Sequence, residues 1–390
     1  MRIYHILTHT MEPLYPHLNN NPEGFTKLEH NVNKFIKNLI KYDKNKEFEH
    51  ILVNLSSTLK HPKVELTHRD GYKLIILKAK SFYYPIEFSS ELIKFIKNTN
   101  DGILHIHGTA CYIYDTIAPY LKNKPSIAHY RGGHFTWKSF PISFPKYYLI
   151  QPITLRFPKK LFIQNKYRLE QYNKLYKIPK EKLEYIPNAI NLEDFKINEN
   201  KENLRKKFNF KNEEILILFV GRLEKAKGLI ELIDSFENLN KKYKNVKLLI
   251  AGNGSLKNFI IKKSNKSKNI VYFGHLSFEK LKKIYKISDI FVLPTYYESF
   301  GLVLIEAMAF RLPIISTLVE GPMNIVENGK SGFLIKPKDR KELTKKLEIL
   351  INDEELRKKM GKYGREKVEK EFNWDSLSKK IFNIYHYLSK

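Results

Sequence analysis

Residues 214–251 read EILILFVGRLEKAKGLIELIDSFENLNKKYKNVKLLIA, and this stretch decides the fold. Its two ends, EILILFV (214–220) and VKLLIA (246–251), are short and almost continuously apolar, which is typical of strands buried on both faces of a sheet. Between them, the apolar residues of 227–243 recur at helical spacing. A strand, a helix and a second strand in this order predict a βαβ unit with two parallel strands.

Similar apolar runs, separated by segments of helical period, occur along the whole chain. The further predicted strands are 2–8, 50–55, 73–79, 102–107, 125–130, 160–164, 269–273, 289–293 and 313–317. The chain becomes polar and charged at 187–212, between the two series of strands. Two such series predict an α/β protein with two doubly wound, Rossmann-like domains facing a central cleft.

Composition excludes several classes of protein. The chain has 390 residues, of which 42% are hydrophobic and 13% aromatic, so it can build buried cores and is not disordered. Its single cysteine, Cys111, excludes an intramolecular disulfide framework and a cysteine-based zinc site. The first residues, MRIYHILTHT, are too short and too polar for a secretory signal. No apolar run approaches the ~20 residues of a spanning helix, so we expect a cytoplasmic protein.

The net charge of +28 raises nucleic acid or an anionic membrane as partners. Of the 69 basic residues only 11 are arginines, whereas sequence-specific readers of nucleic acid rely on arginine. Residues 116–169 contain no Asp or Glu, although they carry ten Lys or Arg interleaved with aromatic residues. This segment is compatible with an anionic membrane surface, with another anion, or with an ordinary solvated and partly core-packed structure.

The turn that follows the strand at 214–220 is a candidate phosphate-binding loop. Gly221 begins the turn, and a helix is predicted to start near Lys227. The N-terminus of a helix attracts anions, and Arg222 and Lys227 add two cations beside it, an arrangement suited to a diphosphate. The alternative is an ordinary βα loop with two solvated cations.

A second candidate lies in residues 288–311, SDIFVLPTYYESFGLVLIEAMAFR. DIFVLP is predicted to be a buried strand, Ser299 an N-cap, and about 300–310 a helix. Glu298 then precedes the helix and Glu306 lies in its second turn, so that one carboxylate could bind a sugar and the other a ribose. The helix also offers backbone N–H groups to phosphate or sugar oxygens, namely those of Phe300, Gly301 and Leu302. The alternative is a capped core helix with two ordinary glutamates.

These motifs, taken together and in order, carry a resemblance to a known family. The sequence resembles the retaining glycosyltransferases of family 4 (group 1 glycosyltransferases), which have the GT-B fold. The similar segments are PNAIN (187–191), GRLEKAKG (221–228), AGNG (251–254), FGHLS (273–277), ESFGLVLIE (298–306) and FNWDSLSKKIFNIY (372–385). The likeness is strong over 185–390 and moderate over 100–110.

The resemblance implies an activity and a domain organisation. The activity is the transfer of a sugar from a nucleotide diphosphate donor to a glycan or lipid-linked acceptor, with retention of anomeric configuration, as in hexosyltransferases. The domains would be an N-terminal acceptor-side domain (1–187), a C-terminal nucleotide-sugar-binding domain (188–371) and a final helix (372–390) packing back on the first domain. No cofactor and no metal are expected, and the chain contains no Asp-x-Asp pair.

The resemblance also assigns roles to residues. Arg222 and Lys227 would neutralise the leaving diphosphate, Glu306 would bind the ribose, and Glu298 would bind the transferred sugar. His107, at the carboxyl end of the strand at 102–107, would contact the donor sugar, whereas His105 is interpreted as a core histidine. The implied donor-binding residues are Gly221, Arg222, Lys227, Gly254, His275, Leu276, Glu298, Ser299, Phe300, Gly301, Leu302 and Glu306.

The acceptor side departs from the family pattern. The family has a glycine pair in its first βα loop, but here no glycine occurs before Gly24. A glycine pair is found instead in HYRGGH (129–134), where Arg131 and His134 are candidates for the acceptor side. The alternative is that this glycine pair only forms a tight turn.

Two other classes of function compete with sugar transfer. One is a different enzyme on the same fold, a nucleotide-sugar epimerase or a phosphorylase, against which the ESFGLVLIE run argues. The other is a basic nucleic-acid-binding protein, supported only by the net charge. The expected partners are therefore a nucleotide-sugar donor and a glycan or lipid-linked acceptor, with no nucleic acid. A peripheral position at the inner face of the cell membrane stays open.

Overall fold

The computed structural model of the chain contains two compact units. The first consists of Met1–Pro187 together with Leu377–Lys390, and the second of Asn188–Ser376. The structure describes residues 1–10, 31–68, 70–83, 86–109, 111–130 and 146–390.

The first unit is built on a sheet of eight described strands. In chain order the strands of this sheet are β1 (Arg2–Thr10), β2 (Glu49–Ser56), β3 (Lys63–Thr67), β4 (Lys73–Lys78), β7 (Ile103–His107), β8 (Ser126–Tyr130), β9 (Lys160–Ile163) and β10 (Leu183–Tyr185). Two further strands, β5 (Lys80–Tyr83) and β6 (Ile86–Phe88), form a separate hairpin. The sheet order is β10-β9-β8-β7-β1-β2-β4-β3, and only the β3–β4 pair is antiparallel. The chain starts at β1 in the middle and later continues outward from β7, so the strand order reverses between β1 and β7.

Helices accompany this sheet. The described α-helices of the first unit are α1 (Asn31–Tyr42), α2 (Ser90–Asn98), α3 (Tyr112–Ile117), α4 (Gln151–Thr154) and α5 (Lys166–Tyr176), with a π-helical turn at Lys146–Ile150 and 3-10 turns at Ala118–Leu121 and Lys180–Lys182. Local sequence sets two of the starts, because Ser89 accepts a hydrogen bond from the Leu92 N–H and Asn165 one from the Tyr167 N–H.

The second unit contains a six-stranded sheet in which every pair is parallel. Its strands are β11 (Ile215–Val220), β12 (Val246–Ala251), β13 (Ile270–Tyr272), β14 (Ile290–Leu293), β15 (Ile314–Thr317) and β16 (Gly332–Ile335). The order is β13-β12-β11-β14-β15-β16, the doubly wound Rossmann arrangement, with the reversal between β11 and β14. Phe219 and Phe291 of these two neighbouring strands are fully buried in one core.

Helices connect these strands. The α-helices are α6 (Lys201–Lys207), α7 (Leu229–Lys242), α8 (Lys257–Lys266), α9 (Phe278–Ile287), α10 (Leu302–Ala309), α11 (Glu320–Ile325), α12 (Arg340–Asn352), α13 (Glu354–Glu371) and α14 (Trp374–Ser389), with 3-10 turns at Leu192–Phe195 and Lys225–Lys227. From Leu377 onward, α14 belongs to the first unit. No helix in the described ranges has the length and apolarity needed to cross a bilayer.

The predicted fold class is confirmed: the protein is α/β, with two Rossmann-like domains whose sheets are parallel except for the β3–β4 pair. All the predicted strands are present, whereas β3, β5, β6, β10 and β16 were missed. The missed strands have three to five residues, and β3 alternates between exposed and half-buried positions, so none produces a long apolar run. How the two domains face a cleft stays a prediction.

Candidate functional site

Most of the predicted site residues of the second unit lie at one edge of its sheet. The loops that leave the carboxyl ends of β11 and β14 are neighbours, because these strands are adjacent and parallel. This is the position at which the strand order reverses, where ligands bind in open α/β sheets. The two loops are joined by hydrogen bonds: the Tyr296 N–H and the Thr295 hydroxyl both donate to the Ala226 carbonyl, at 2.8 and 3.1 Å.

Lys227 and Glu298 meet across these loops. The Lys227 ammonium donates to Glu298 Oε2 at 2.7 Å, and the two side chains are only 14% and 18% exposed. Gly228 makes the approach possible, because its φ is +68° and a Cβ there would lie 1.9 Å from the Pro294 carbonyl oxygen. The structure thus brings together two residues that are 71 positions apart in sequence.

The two helices beside this pair begin later than predicted. Residues Lys225–Lys227 form a 3-10 turn, and α7 starts at Leu229, after Gly228. Likewise α10 starts at Leu302 with Gly301 in the N-cap position, so the predictions of a Ser299 N-cap and of a helix over 300–310 are wrong. The physical reason is that Gly301 has φ +94°, a left-handed conformation that a helix interior does not accept.

Phe300 has two different environments. Its side chain is buried in the core and contacts the Phe372 ring. Its backbone nitrogen lies 3.5 Å from Glu298 Oε1, so the main chain at Phe300 and the Glu298 carboxylate are in contact within one loop. Leu302, at the start of α10, is exposed.

Glu306 is oriented by a residue that the sequence did not reveal. The Tyr285 hydroxyl, on α9, donates to Glu306 Oε2 at 2.9 Å. Burial of Tyr285, assisted by the Glu306 charge, raises the pKa of this hydroxyl well above its usual range, so it remains a donor at neutral pH. A tyrosine at an apolar position of a helical pattern is predicted to be an ordinary core residue. Only the contact with Glu306 shows that the Tyr285 hydroxyl also orients a carboxylate.

Arg222 is not joined to the Lys227–Glu298 pair by a described contact. Its guanidinium pairs with Glu224 Oε1 at 2.8 Å, and its side chain is 73% exposed. Arg222 follows Gly221 at the end of β11, so it lies on the same loop as Lys227.

The segments around Gly254 and His275 belong to the same edge of the sheet. The Leu223 N–H donates to the Asn253 carbonyl at 2.8 Å, and a Cβ on Gly254 would lie 2.7 Å from the Leu223 backbone. His275 is exposed, whereas Leu276 is half-buried against the core. A side chain at position 254 would therefore separate the two loops, which explains the glycine.

In the first unit, His107 is the last residue of β7, as predicted. Its ring is buried, and its Nε2 lies 3.0 Å from Nδ1 of His5. The Thr8 hydroxyl lies 3.1 Å from the His107 carbonyl and 2.8 Å from the Gly108 carbonyl, which fixes the end of the strand. His105 is buried and hydrogen-bonded to the Tyr385 hydroxyl, which confirms it as a core histidine. The acceptor-side candidates Arg131 and His134 lie outside the described residues.

One group of described side chains is close enough to suggest a metal site. The ring nitrogens of His5, His105 and His107 lie within 4.8 Å of one another. However, the His105 and His107 rings are stacked, with centroids 4.2 Å apart and planes inclined by 21°. Because a ring nitrogen binds a metal in the plane of its ring, these lone pairs do not converge on one point. We interpret the three rings, as they are arranged here, as a hydrogen-bonded cluster.

Comparisons with known proteins agree with this architecture. Residues 200–367 match the family model described as "Glycosyl transferases group 1". The chain is 37% identical over 204 residues to the capsular polysaccharide biosynthesis glycosyltransferase CapM of Staphylococcus aureus, an alignment covering 51% of this chain and 53% of that protein. It is 31% identical over 222 residues to an uncharacterized glycosyltransferase of Methanocaldococcus jannaschii, covering 55% and 57%. The chain thus spans about half the length of these curated relatives.

The fold is shown by solved structures. The crystal structure of HepE from Anabaena in complex with UDP superposes with a TM-score of 0.75 at 13% identity, covering 99% of this chain and 100% of that one. At this identity the likeness shows the fold, which is that of the GT-B glycosyltransferases. The family match over residues 200–367, together with the fold, supports placing this chain in the superfamily of GT-B glycosyltransferases.

Proposed function

We propose that this protein is a retaining glycosyltransferase of family 4, which transfers a sugar from a nucleotide diphosphate donor to a glycan or lipid-linked acceptor. The observation that carries the proposal is the half-buried Lys227–Glu298 pair at the strand-order reversal of the second domain. It lies inside the region that matches the group 1 glycosyl transferases. A cation and a carboxylate at this position suit the two halves of a sugar diphosphate.

The chemistry assigned to the pair is charge stabilisation. As the bond between the anomeric carbon and the diphosphate oxygen breaks, negative charge grows on the diphosphate, and Lys227 with Arg222 would stabilise it without a metal. The acceptor oxygen forms the new bond on the same face of the sugar, and the departing phosphate oxygen takes its proton. A diphosphate beside Lys227 would share the ammonium with Glu298, which keeps the carboxylate available to hydroxyl groups of the sugar.

Other residues would position the donor. Glu306, held by the Tyr285 hydroxyl, is proposed to accept hydrogen bonds from the ribose. The backbone N–H groups of residues 300–302, together with Gly221, Gly254, His275 and Leu276, would line the donor site. His107 is proposed to contact the donor sugar from the first domain.

We further propose that the protein docks on anionic membranes, where a lipid-linked acceptor would be found. Residues 146–154 expose three apolar side chains within two helical turns: Tyr148, Leu149 and Ile153 are each more than half exposed. Arg156 and Lys159 are exposed close by in sequence. Each basic residue near an anionic surface is worth ~1 kcal/mol, so a few suffice for reversible binding. Lys146 is excluded from this role, because it is buried and paired with Asp115.

Ligand binding and product analysis test the proposal. A thermal-shift screen against UDP, GDP and ADP should find one nucleotide that stabilises the protein, by ~2.7 kcal/mol at 100 times its dissociation constant. The corresponding nucleotide sugar should release that nucleoside diphosphate, and NMR of the product should show the anomeric configuration of the donor.

Other products would indicate the competing functions. An epimerase would convert the nucleotide sugar into an isomer without releasing the diphosphate. A phosphorylase would release a sugar phosphate when supplied with a glycan and inorganic phosphate. The absence of any nucleotide-dependent shift, together with salt-sensitive binding to nucleic acid, would contradict sugar transfer.

A further inference from the structure

A layer of five buried histidines lies at the middle of the first sheet, where its strand order reverses. His5 is on β1, His50 on β2, His105 and His107 on β7, and His129 on β8, and none is more than 4% exposed. The strands are adjacent in the order β8-β7-β1-β2, with His5 paired to His105 and His107 paired to His129. Because side chains alternate along a strand, these residues share one face of the sheet.

Three of these rings form a hydrogen-bonded chain. His5 Nδ1 lies 3.0 Å from His107 Nε2, and His5 Nε2 lies 2.9 Å from His50 Nδ1. The ring centroids of these pairs are 5.3 and 5.2 Å apart, as expected for rings joined edge to edge by a nearly linear N–H···N bond. By contrast, His105 and His107 are stacked face to face at 4.2 Å. One series of bonds therefore runs through His50, His5 and His107, whereas His105 is bonded separately to His129, with its Nε2 3.3 Å from His129 Nδ1.

The ring at one end, His50, determines the direction in which hydrogen bonds are donated along the three rings. His50 Nε2 is buried and has no hydrogen-bond partner in the described part of the protein. Burial lowers the pKa of His50 to about 4, so at neutral pH this ring is neutral and carries one N–H. Buried orphan N–H donors are rarer than under-satisfied acceptors. The proton of His50 is therefore expected on Nδ1, from which it is donated to His5.

The remaining protons follow from this one. If His50 donates to Nε2 of His5, a neutral His5 carries its proton on Nδ1 and donates to Nε2 of His107. A neutral His107 that accepts at Nε2 carries its own proton on Nδ1. The opposite direction would leave the N–H of His50 buried and unbonded.

We propose that His50 and His5 are positioning residues that hold His107 in its Nδ1–H tautomer, so that this ring offers a donor and not a lone pair to the substrate. The tautomer follows from the hydrogen-bond chain together with the burial of His50, whereas the benefit to the substrate rests on the proposed function. A sugar hydroxyl that meets this nitrogen would have to accept a hydrogen bond.

NMR of the full chain with ¹⁵N-labelled histidine tests the tautomer directly. Long-range ¹H–¹⁵N correlation distinguishes a protonated from a bare ring nitrogen, and we expect Nδ1 of both His5 and His107 to be protonated at pH 7. In His50→Leu, which removes the first donor, the His107 signals should shift toward the other tautomer. His50→Asn can place an amide N–H where Nδ1 lay and should restore the wild-type signals. The matched control is His68→Leu, which should leave the His107 signals unchanged. His68 is buried and stacked on Tyr72, and it does not belong to the three hydrogen-bonded rings.

Kinetics provide the second readout. In His50→Leu we expect kcat to fall about tenfold with little change in the KM for the donor, by analogy with metal-bound histidines, whose hydrogen-bond partners are worth about 10–100-fold. His50→Asn should recover most of the loss, and His68→Leu should show none.

The outcomes separate this inference from the proposed function. Protonation at Nε2 of His107 in the wild-type protein would overturn it, even if the variants did not fold. Unchanged His107 signals in a folded His50→Leu would also overturn it. The expected signals in a protein that transfers no sugar would support the tautomer assignment while the proposed function failed.

Discussion

The buried neutral His50 should make the stability of the first domain depend on pH. Its folded pKa is about 4, because of burial, against an ordinary value of 6.5. Below pH 6.5 the unfolded chain binds a proton at this ring that the folded domain does not bind. The free energy of unfolding is therefore unaffected by His50 above pH 6.5 and decreases as the pH falls toward 4. Each pH unit over which only the unfolded chain is protonated lowers the free energy of unfolding by about 1.36 kcal/mol. The decrease is therefore about 2 kcal/mol at pH 5 and about 3 kcal/mol at pH 4.

Comparison with His50→Asn isolates this contribution. Asparagine does not titrate, so the variant should lose about 2 kcal/mol less than the wild type between pH 7 and pH 5, while the other titrating groups act in both proteins. Hydrogen exchange of β1 and β2 amides, corrected for the intrinsic exchange rate at each pH, reads the opening free energy of this domain separately from the second. His61→Asn is a suitable control, because His61 is exposed.

One result would refute the reasoning. If wild type and His50→Asn lost equal protection between pH 7 and pH 5, His50 would not be held neutral by burial. A loss confined to pH values below 4 would also contradict the assigned pKa window.

The remaining predictions concern the second domain and the membrane. Lys227→Ala should lower kcat/KM by roughly a hundredfold or more, since it removes a cation from the developing diphosphate charge, while exposed Lys225→Ala should stay near wild type; equal effects would contradict the assignment. Transfer should persist in excess chelator, and loss of activity that manganese or magnesium restores would contradict a metal-independent reaction. Gly301→Ala should cost roughly 1–2 kcal/mol in thermal unfolding, because alanine resists φ +94° and its Cβ would lie 2.9 Å from Leu304 Cδ1; an unchanged melting temperature would contradict this. Replacing Leu149 and Ile153 by serine should weaken co-sedimentation with anionic vesicles, since both are exposed; equal binding of parent and variant would leave them as ordinary surface.

The sequence alone determined the fold class and most of the strands. Runs such as ILILFV (215–220) are apolar on both faces, and a parallel sheet covered by helices is the structure in which such strands are buried. It also predicted Lys227, Glu298 and Glu306 as site residues, because glycine-bearing turns after strands and ESFGLVLIE are local patterns, and their roles stay predictions. It misplaced the helix starts at 229 and 302, since a glycine can be helical, a cap or left-handed, and the choice depends on contacts such as the close approach of Gly228 to Pro294.

Only the tertiary structure decided which residues meet. Lys227 reaches Glu298 because β11 and β14 are neighbours in the sheet, although β12 and β13 lie between them in sequence. Tyr285 binds Glu306 because α9 packs where its hydroxyl reaches the carboxylate. Alternation along one strand predicted that His105 and His107 share a face, but it did not predict the chain through His5 and His50. That chain requires the strand order β7-β1-β2, which is set by long-range pairing, and sequence periodicity carries no information about which strand lies beside which.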